Sequence, residues 1–446
     1  MTAQPKTRHV HRQRETPLPQ APRGVKQIVI PMTRPQYDEI WQDAERVRAF
    51  LAPWLQAAPE LFPAGFDQGY RLHGFGRPSR KLPGVKLRKV VLADGTSYWL
   101  RPSFVTSYMT GTVEELAYPL LLAAHGVPPW LLTIGFGHSD MFWYRLVERL
   151  GRNSLVGTTV SSAGRLPRHL AADEKHTTLA GEKVYLAATT GGGCCLGMAL
   201  AKAAGNDDLT EAYGLSRDEA RRLDPGYRPE TVDTDGWPAT QAAWRALFKG
   251  VTLVLCFLHS FLKIRERAKH LKETFDALRE RVWGAYHAPD ARTFSQRLRR
   301  LREWASTHLD KTIVREKVLS LCNKRAAFVK AYAHPGCHRT SNPVDRLLRR
   351  LDYHLYCTQH LHGTTKAAEQ GLRGWALIHN FAPSCPWTVR SSPELRSPAE
   401  RLNGRRYHPE WLQNLLVSAS LAGYRKPPRK AGGSWAQIGN NPNSQE

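Results

Sequence analysis

The chain has 446 residues, more than one ordinary hydrophobic core accommodates, so two or three domains are expected. Its 64 Lys and Arg against 39 Asp and Glu give a formal charge of +25 and a pI near 10.0, which argues against a charge-balanced metabolic enzyme and for a polyanionic partner. The first thirty residues hold six Lys or Arg and no apolar stretch, the longest apolar run covers only residues 251–258, and the seven Cys are an odd number; the sequence points away from a secretory leader, a membrane span or a disulfide framework and toward an intracellular setting.

In chain order, 1–30 reads as a flexible basic arm and 31–155 as an N-terminal DNA-binding region. Between residues 71 and 101 lie eight Lys or Arg and one acid, Asp94, with strands at 89–92 and 97–100 joined by the Asp94-Gly95 turn. A phosphate-contacting surface and a solvated basic loop both fit that pattern. A helix follows over 113–124, then a turn at Gly126, a short helix over 129–134, and a third helix over 140–150 capped by Ser139. This is the spacing of a helix-turn-helix, whose last helix would offer Tyr144, Arg145, Arg149 and Arg152 to bases or phosphates; a plain helical bundle has the same pattern.

From 165 the periodicity changes to strands. Runs at 170–173, 183–189 and 194–201, separated by Gly-bearing turns, predict an antiparallel meander. A helical stretch over 208–223, a strand over 230–233, a helix over 238–248 and a buried strand over 251–257 come next. Three strands followed by alternating helices and strands is the order of an α/β ribonuclease-H-like core, its first part spanning 165–260. Residues 261–330 carry 18 Lys or Arg and 8 acids with helical patterning, so 261–334 reads as an all-helical insertion. The core resumes with C-terminal helices over 335–424, and 425–446, rich in Pro, Lys, Gly, Ser and Asn, reads as a disordered tail.

Three short segments carry the chemistry. AADEKHT places Asp173, with Glu174 beside it, at the end of the first meander strand. VDTDGWPAT ends the fourth strand at Asp235, with Asp233 as its rival, and Gly236 lets the chain turn into a helix opened by Pro238. RTSNPVDR caps a helix at Ser341 or Asn342 and presents Asp345 in its first turn, with Asp352 and Glu369 as alternatives further on. Carboxylates gathered from segments so far apart repel one another unless a cation neutralises them, and hard oxygen donors suit Mg²⁺ or Mn²⁺. His334, Cys337 and His338 with Cys357, His360 and His362 have zinc-type donors but no Cys-x-x-Cys pair, and the Gly191–Gly193 run lacks the Lys-Ser/Thr ending of a phosphate loop.

The segments DEKHTTLAGEKVYLAATT, TDGWPATQAAWRALFKGVTLVLCFLH and TSNPVDR together resemble the Asp-Asp-Glu/Asp transposases of the Mutator-like and related bacterial insertion-sequence group. The resemblance covers roughly 165–260 and 335–380 and includes a Cys-x-x-His pair, Cys256 and His259, on the fifth strand. The departure is Asp345 where Glu is usual. The resemblance implies a ribonuclease-H-like catalytic core in which Asp173, Asp235 and Asp345 bind Mg²⁺ or Mn²⁺, cut the ends of a mobile element and join them to target DNA. It further implies double-stranded DNA as partner, a homodimer or higher synaptic assembly, and an insertion that contacts element ends, with Trp283 and Trp304 able to stack on an extruded base or to pack as core. A nuclease of the same fold without strand transfer, or a catalytically silent DNA-binding regulator, are the alternatives.

Overall fold

The computed structural model describes residues 26–310, 312–391 and 393–424, and shows an α/β protein with two mixed sheets and many helices. Most of the basic arm and all of the C-terminal tail expected from sequence lie outside the described residues. Residues 27–30, expected in the arm, instead form a strand, β1 (Gln27–Ile30), with Ile28, Val29 and Ile30 buried.

The first sheet has the order β1-β4-β3-β2, with β2 at Tyr70–Phe75, β3 at Arg88–Leu92 and β4 at Ser97–Pro102. The β3–β4 hairpin turns through Asp94-Gly95: Gly95 has φ +80°, and the Asp94 carboxylate accepts the Thr96 N–H at 2.8 Å. Helices α1 (Arg34–Ile40) and α2 (Ala44–Ala57) pack on this sheet, and the buried Trp41 donates its indole N–H to the Lys86 carbonyl at 2.7 Å. Helix α3 (Val113–Ala124) starts at a Thr112/Glu115 capping box and is followed by α4 (Pro129–Phe136), α5 (Asp140–Leu150) and the short α6 (Leu155–Thr159).

The second sheet contains β5 (His169–Leu179), β6 (Glu182–Gly191), β7 (Cys194–Ala201), β8 (Thr231–Thr234) and β9 (Thr252–Leu255) in the order β7-β6-β5-β8-β9. The meander β5-β6-β7 is antiparallel, whereas β8 and β9 run parallel to β5. Helix α7 (Asn206–Leu223) crosses from β7 to the far side of β5, and α8 (Pro238–Leu247) connects β8 to β9. Strand β5 therefore lies where the chain order reverses, and in open α/β sheets ligands bind beyond the strand ends at such a point.

Two boundaries differ from the sequence expectation. Asp173 lies within β5 rather than at its end: β5 runs on through the polar DEKHTT, held on one side by β6 alone after pairing with β8 stops at Ala171↔Asp233. The apolar run 251–258 is not one strand, since β9 ends at Leu255 and α9 (Phe257–Ala268) begins two residues later, which puts His259 on a helix. The change is driven by burial: Phe257, Phe261, Ile264 and Ala268 form a helical stripe that enters a separate core.

That core belongs to α10 (Glu273–Tyr286), α11 (Ala291–His308), α12 (Ile313–Asn323) and α13 (Arg325–Val329), so the insertion is all-helical and has its own hydrophobic centre. The chain then returns as α14 (Asn342–Cys357), α15 (Thr365–Phe381), α16 (Pro398–Asn403) and α17 (Trp411–Ser418). Helix α15 lies so close to α5 that a Cβ on Gly374 would sit 2.0 Å from the Val147 carbonyl oxygen, and one on Gly151 1.7 Å from that of Gln370. Only glycine permits this approach. Among the described residues, no helix is long and apolar enough to cross a membrane.

Candidate metal centre

The centre is built where β5, β8, α9 and α14 meet. Past Ala171↔Asp233 the ladder between β5 and β8 stops; Asp173 stands two residues further along β5, and Asp235 follows the last residue of β8, Thr234. Gly236, at φ +97°, then swings the chain toward α8; a Cβ there would lie 2.6 Å from Leu255 Cδ1, so the turn needs glycine. The Asp235 Oδ1 accepts the Trp237 N–H at 2.7 Å and fixes this turn.

From the other side, Pro343 opens α14 and Asp345 occupies its first turn, its N–H donating to the Ser341 carbonyl at 2.9 Å. Asp173, His259 and Asp345 each present a ligand atom, all within 4.8 Å of one another. Among the described residues this is the one such group of three or more His, Cys, Asp or Glu, and all three side chains are half-buried. Asp235 is not within that tight trio but flanks it. Burial first, and the Asp235 charge second, push the Asp173 carboxyl up to about 7.

The remaining acids divide clearly. Asp233, 1% exposed and without a hydrogen-bond partner on either oxygen, is held well above the carboxylate range by burial and then by Cys256, Asp345, Asp173 and Asp235. It stands in the wall of the centre. Glu174 projects to the opposite face of β5, where Oε1 accepts the Tyr213 and Thr240 hydroxyls, each at 2.6 Å, and so ties the strand to α7 and α8. Asp352 pairs with Lys175 at 2.6 Å, and Glu369 accepts the Leu200 N–H at 3.0 Å, so neither alternative third acid joins the trio.

Ser341 organises the helical side, a role invisible in the sequence motif. Fully buried, it donates from Oγ to Asp345 Oδ2 at 2.8 Å, meets His259 Nδ1 at 3.2 Å and Cys256 Sγ at 3.2 Å, and donates its N–H to the same sulfur at 3.1 Å. The usable signal was its position four residues before Asp345, on the same helical face. The hydrogen bond with Cys256 raises His259 to about 9 against the opposing effect of burial, with Cys256, Asp345 and Asp173 adding their charges. Burial pushes the Cys256 thiol up, but hydrogen bonds from His259 and Ser341 bring it net below its ordinary range.

This donor set fits a hard divalent cation. Two buried oxygens of Asp233 without partners, the convergence of Asp173 and Asp345 on His259, and an Asp173 carboxyl raised by burial and by the Asp235 charge mark a cluster short of positive charge. Oxygen donors favour Mg²⁺ or Mn²⁺, and a His259 held as imidazolium would act as a counter-charge rather than a ligand. The zinc-type donors of His334, Cys337, His338, Cys357, His360 and His362 form no metal-holding group among the described residues: Cys337 donates to the Ala331 carbonyl at 3.3 Å, and His362 Nε2 lies 3.0 Å from that of Thr358.

The other sequence-derived candidates are dispersed. Tyr144 turns inward from α5 and lines an apolar cavity with Trp143, His354 and Leu372, while Arg145 is exposed. Arg149 and Arg152 both lie over the Tyr108 ring, at 5.5 and 5.6 Å. Trp283 is half-buried against Phe261 and Tyr286 in the insertion, and Trp304 stacks on His308 with Arg281 over its other ring contact at 4.6 Å. No protein-family model matches the chain, and no curated protein is matched by its sequence.

Proposed function

We propose that the chain is a divalent-metal-dependent DNA transposase with a ribonuclease-H-like core, cutting the ends of a mobile element and joining them to target DNA. The observation that carries the proposal is the meeting of Asp173, His259 and Asp345 within 4.8 Å, beside Asp235, from four elements separated by up to 172 positions in the sequence (345 − 173). The sheet order β7-β6-β5-β8-β9, with an antiparallel meander followed by two parallel strands, supports the same core. The formal charge of +25 and the helical insertion, net +10 over 261–330 (18 − 8), support a polyanionic substrate.

Asp173, Asp345 and Asp235 would hold Mg²⁺ or Mn²⁺, which when bound lowers the pKa of an attacking water or 3′-hydroxyl and offsets charge on the departing oxygen. Ser341 holds Asp345 in place through Oγ, and His259 sets a positive charge beside the acids. Asp233 lines the wall, where burial favours its uncharged form. Paired ends call for a dimer or higher assembly, with the insertion laid along the DNA.

The first test is whether short inverted repeats flank the coding DNA, and the second uses duplexes that carry them. Wild-type chain is expected to nick them in Mg²⁺ or Mn²⁺, to fail in EDTA, and to join a pre-nicked end to a target duplex. Asp235→Asn should bind the same DNA and leave it uncut. Full cleavage by Asp235→Asn would overturn the assignment, and cutting without joining would make the chain a nuclease.

A further inference from the structure

Helix α14 carries Asp345 in its first turn and Arg346, Arg349 and Arg350 in the turn that follows. Arg346, Arg349 and Arg350 are exposed, and none forms an ion pair or hydrogen bond with another described residue. They do not stand on an open surface. Two adjoining clefts of ≈ 580 and ≈ 450 Å³ share Arg346, Arg350 and His379; Arg339 and Arg401 line the larger one and Arg349 the smaller. Neither cleft is lined by any Asp or Glu.

A run of basic residues on a helix is ordinarily a solvated face interspersed with acids. Here acids are missing and the walls are concave, which concentrates the field of the arginines. His379, inside the shared part, is held down at about 4 by burial and then by the charges of Arg350, His125 and Arg401, as expected where positive charge is uncompensated. The larger cleft reaches Asn342 and Pro343 at the start of α14, one turn or less from Asp345. Arg346 to Arg350 advances about 6 Å along the helix, so the three arginines step away from Asp345 along its axis.

We propose that this cleft binds the phosphate backbone of the DNA strand that passes the acidic centre, with Arg346, Arg349 and Arg350 as its contacts. The inference rests on the reading of the chain as a DNA-processing enzyme and adds a surface distinct from α5, the 71–101 hairpin and the insertion. Guanidinium groups suit it because their forked N–H donors match phosphate oxygens.

The experiment measures binding of the full chain to a fluorescent duplex in EDTA across a KCl series. Each lost phosphate contact should lower the slope of log K against log salt by about 0.9, so Arg346→Gln/Arg349→Gln/Arg350→Gln should lower it by about 2.7 and weaken binding on the order of 100-fold near physiological salt. The corresponding triple Lys variant should keep the slope, and thermal melting shows that each variant is folded. A control removing three exposed charges outside the clefts, Lys202→Gln/Arg245→Gln/Lys249→Gln, should change much less. Equal losses in both triple variants, or an unchanged slope in the arginine variant while wild type still cuts DNA, would overturn the cleft alone. Absence of salt-dependent binding by wild type would overturn the cleft and the DNA reading together.

Discussion

Metal binding at the acid cluster should be visible as a stability change whose size depends on pH. Asp173 titrates near 7 in the folded chain against an ordinary 3.8, a difference of about 3 units, or on the order of 4 kcal/mol. Because the folded value is the higher one, folding carries no penalty below about pH 4, loses about 1.4 kcal/mol per unit between there and pH 7, and is flat above that. A divalent ion displaces the proton, so its benefit must grow as pH rises. With 10 mM Mg²⁺ and an affinity near 0.1–1 mM, the gain at pH 8 is about 1.4–2.7 kcal/mol, or about 1.5–3 °C in Tm for a chain of 446 residues. At pH 5, proton competition weakens the affinity about 100-fold and leaves about 1 °C or less. Melting curves in Mg²⁺ and in EDTA, compared at each pH, isolate the cluster, since groups elsewhere cancel in the difference. Asp235→Asn should raise the EDTA Tm at pH 8, by removing the second cause of the Asp173 shift, and should abolish the Mg²⁺ increment. An increment of equal size at pH 5 and pH 8, or one untouched in Asp235→Asn, would refute the reasoning.

Three other outcomes follow from the packing. Gly374→Ala should cost about 3 kcal/mol in urea unfolding because its Cβ meets a backbone oxygen that no rotamer can move, whereas Gly371→Ala, with open space at that position, should be neutral or stabilising by up to about 1 kcal/mol; equal effects would contradict the tight α5–α15 contact. Ser341→Ala should weaken Mn²⁺ binding about 10-fold by freeing Asp345, and unchanged affinity in a Mn²⁺ titration would remove Ser341 from the centre. Burial holds His354 down at about 4, its Nδ1 donating to the Ala123 carbonyl at 3.0 Å. Its contribution is therefore present above about pH 6.5 and lost as pH falls toward 4, so the stability lead of wild type over His354→Gln should shrink by about 2 kcal/mol across that window; a constant difference would count against it.

The parts of the fold legible in the sequence are those with strong local signals. The 113–124 helix has its capping box, the Asp94-Gly95 turn its left-handed glycine, and the meander its alternating runs between glycine pairs. The three acid-bearing segments stood out because a turn glycine or a helix-opening proline follows or precedes each of the last two. What was hidden depends on burial and on distant partners. Residues 251–258 are apolar apart from Thr252, so nothing in their periodicity marks the break at Cys256, which appears only when α9 enters a second core. Tyr144 looked available for DNA because its inward turn depends on α14 and α15, more than 200 residues later. Ser341 gained its place from Cys256, 85 residues earlier, a contact no local pattern records.

The ends of the insertion have a mechanical meaning. Its first helix, α9, carries His259 in the opening turn and is embedded further along, through Phe261, Ile264 and Ala268, in the insertion's own core. At its base the same rod is pinned: the Phe257 N–H donates to the Arg339 carbonyl at 3.1 Å, and Cys256 bonds to Ser341 beside the start of α14. The insertion is thus a handle on a short stiff shaft whose fulcrum is the acid cluster. The packing of the insertion's outer helices is therefore continuous with the helix that sets His259 against Asp173, which is anchored in the sheet.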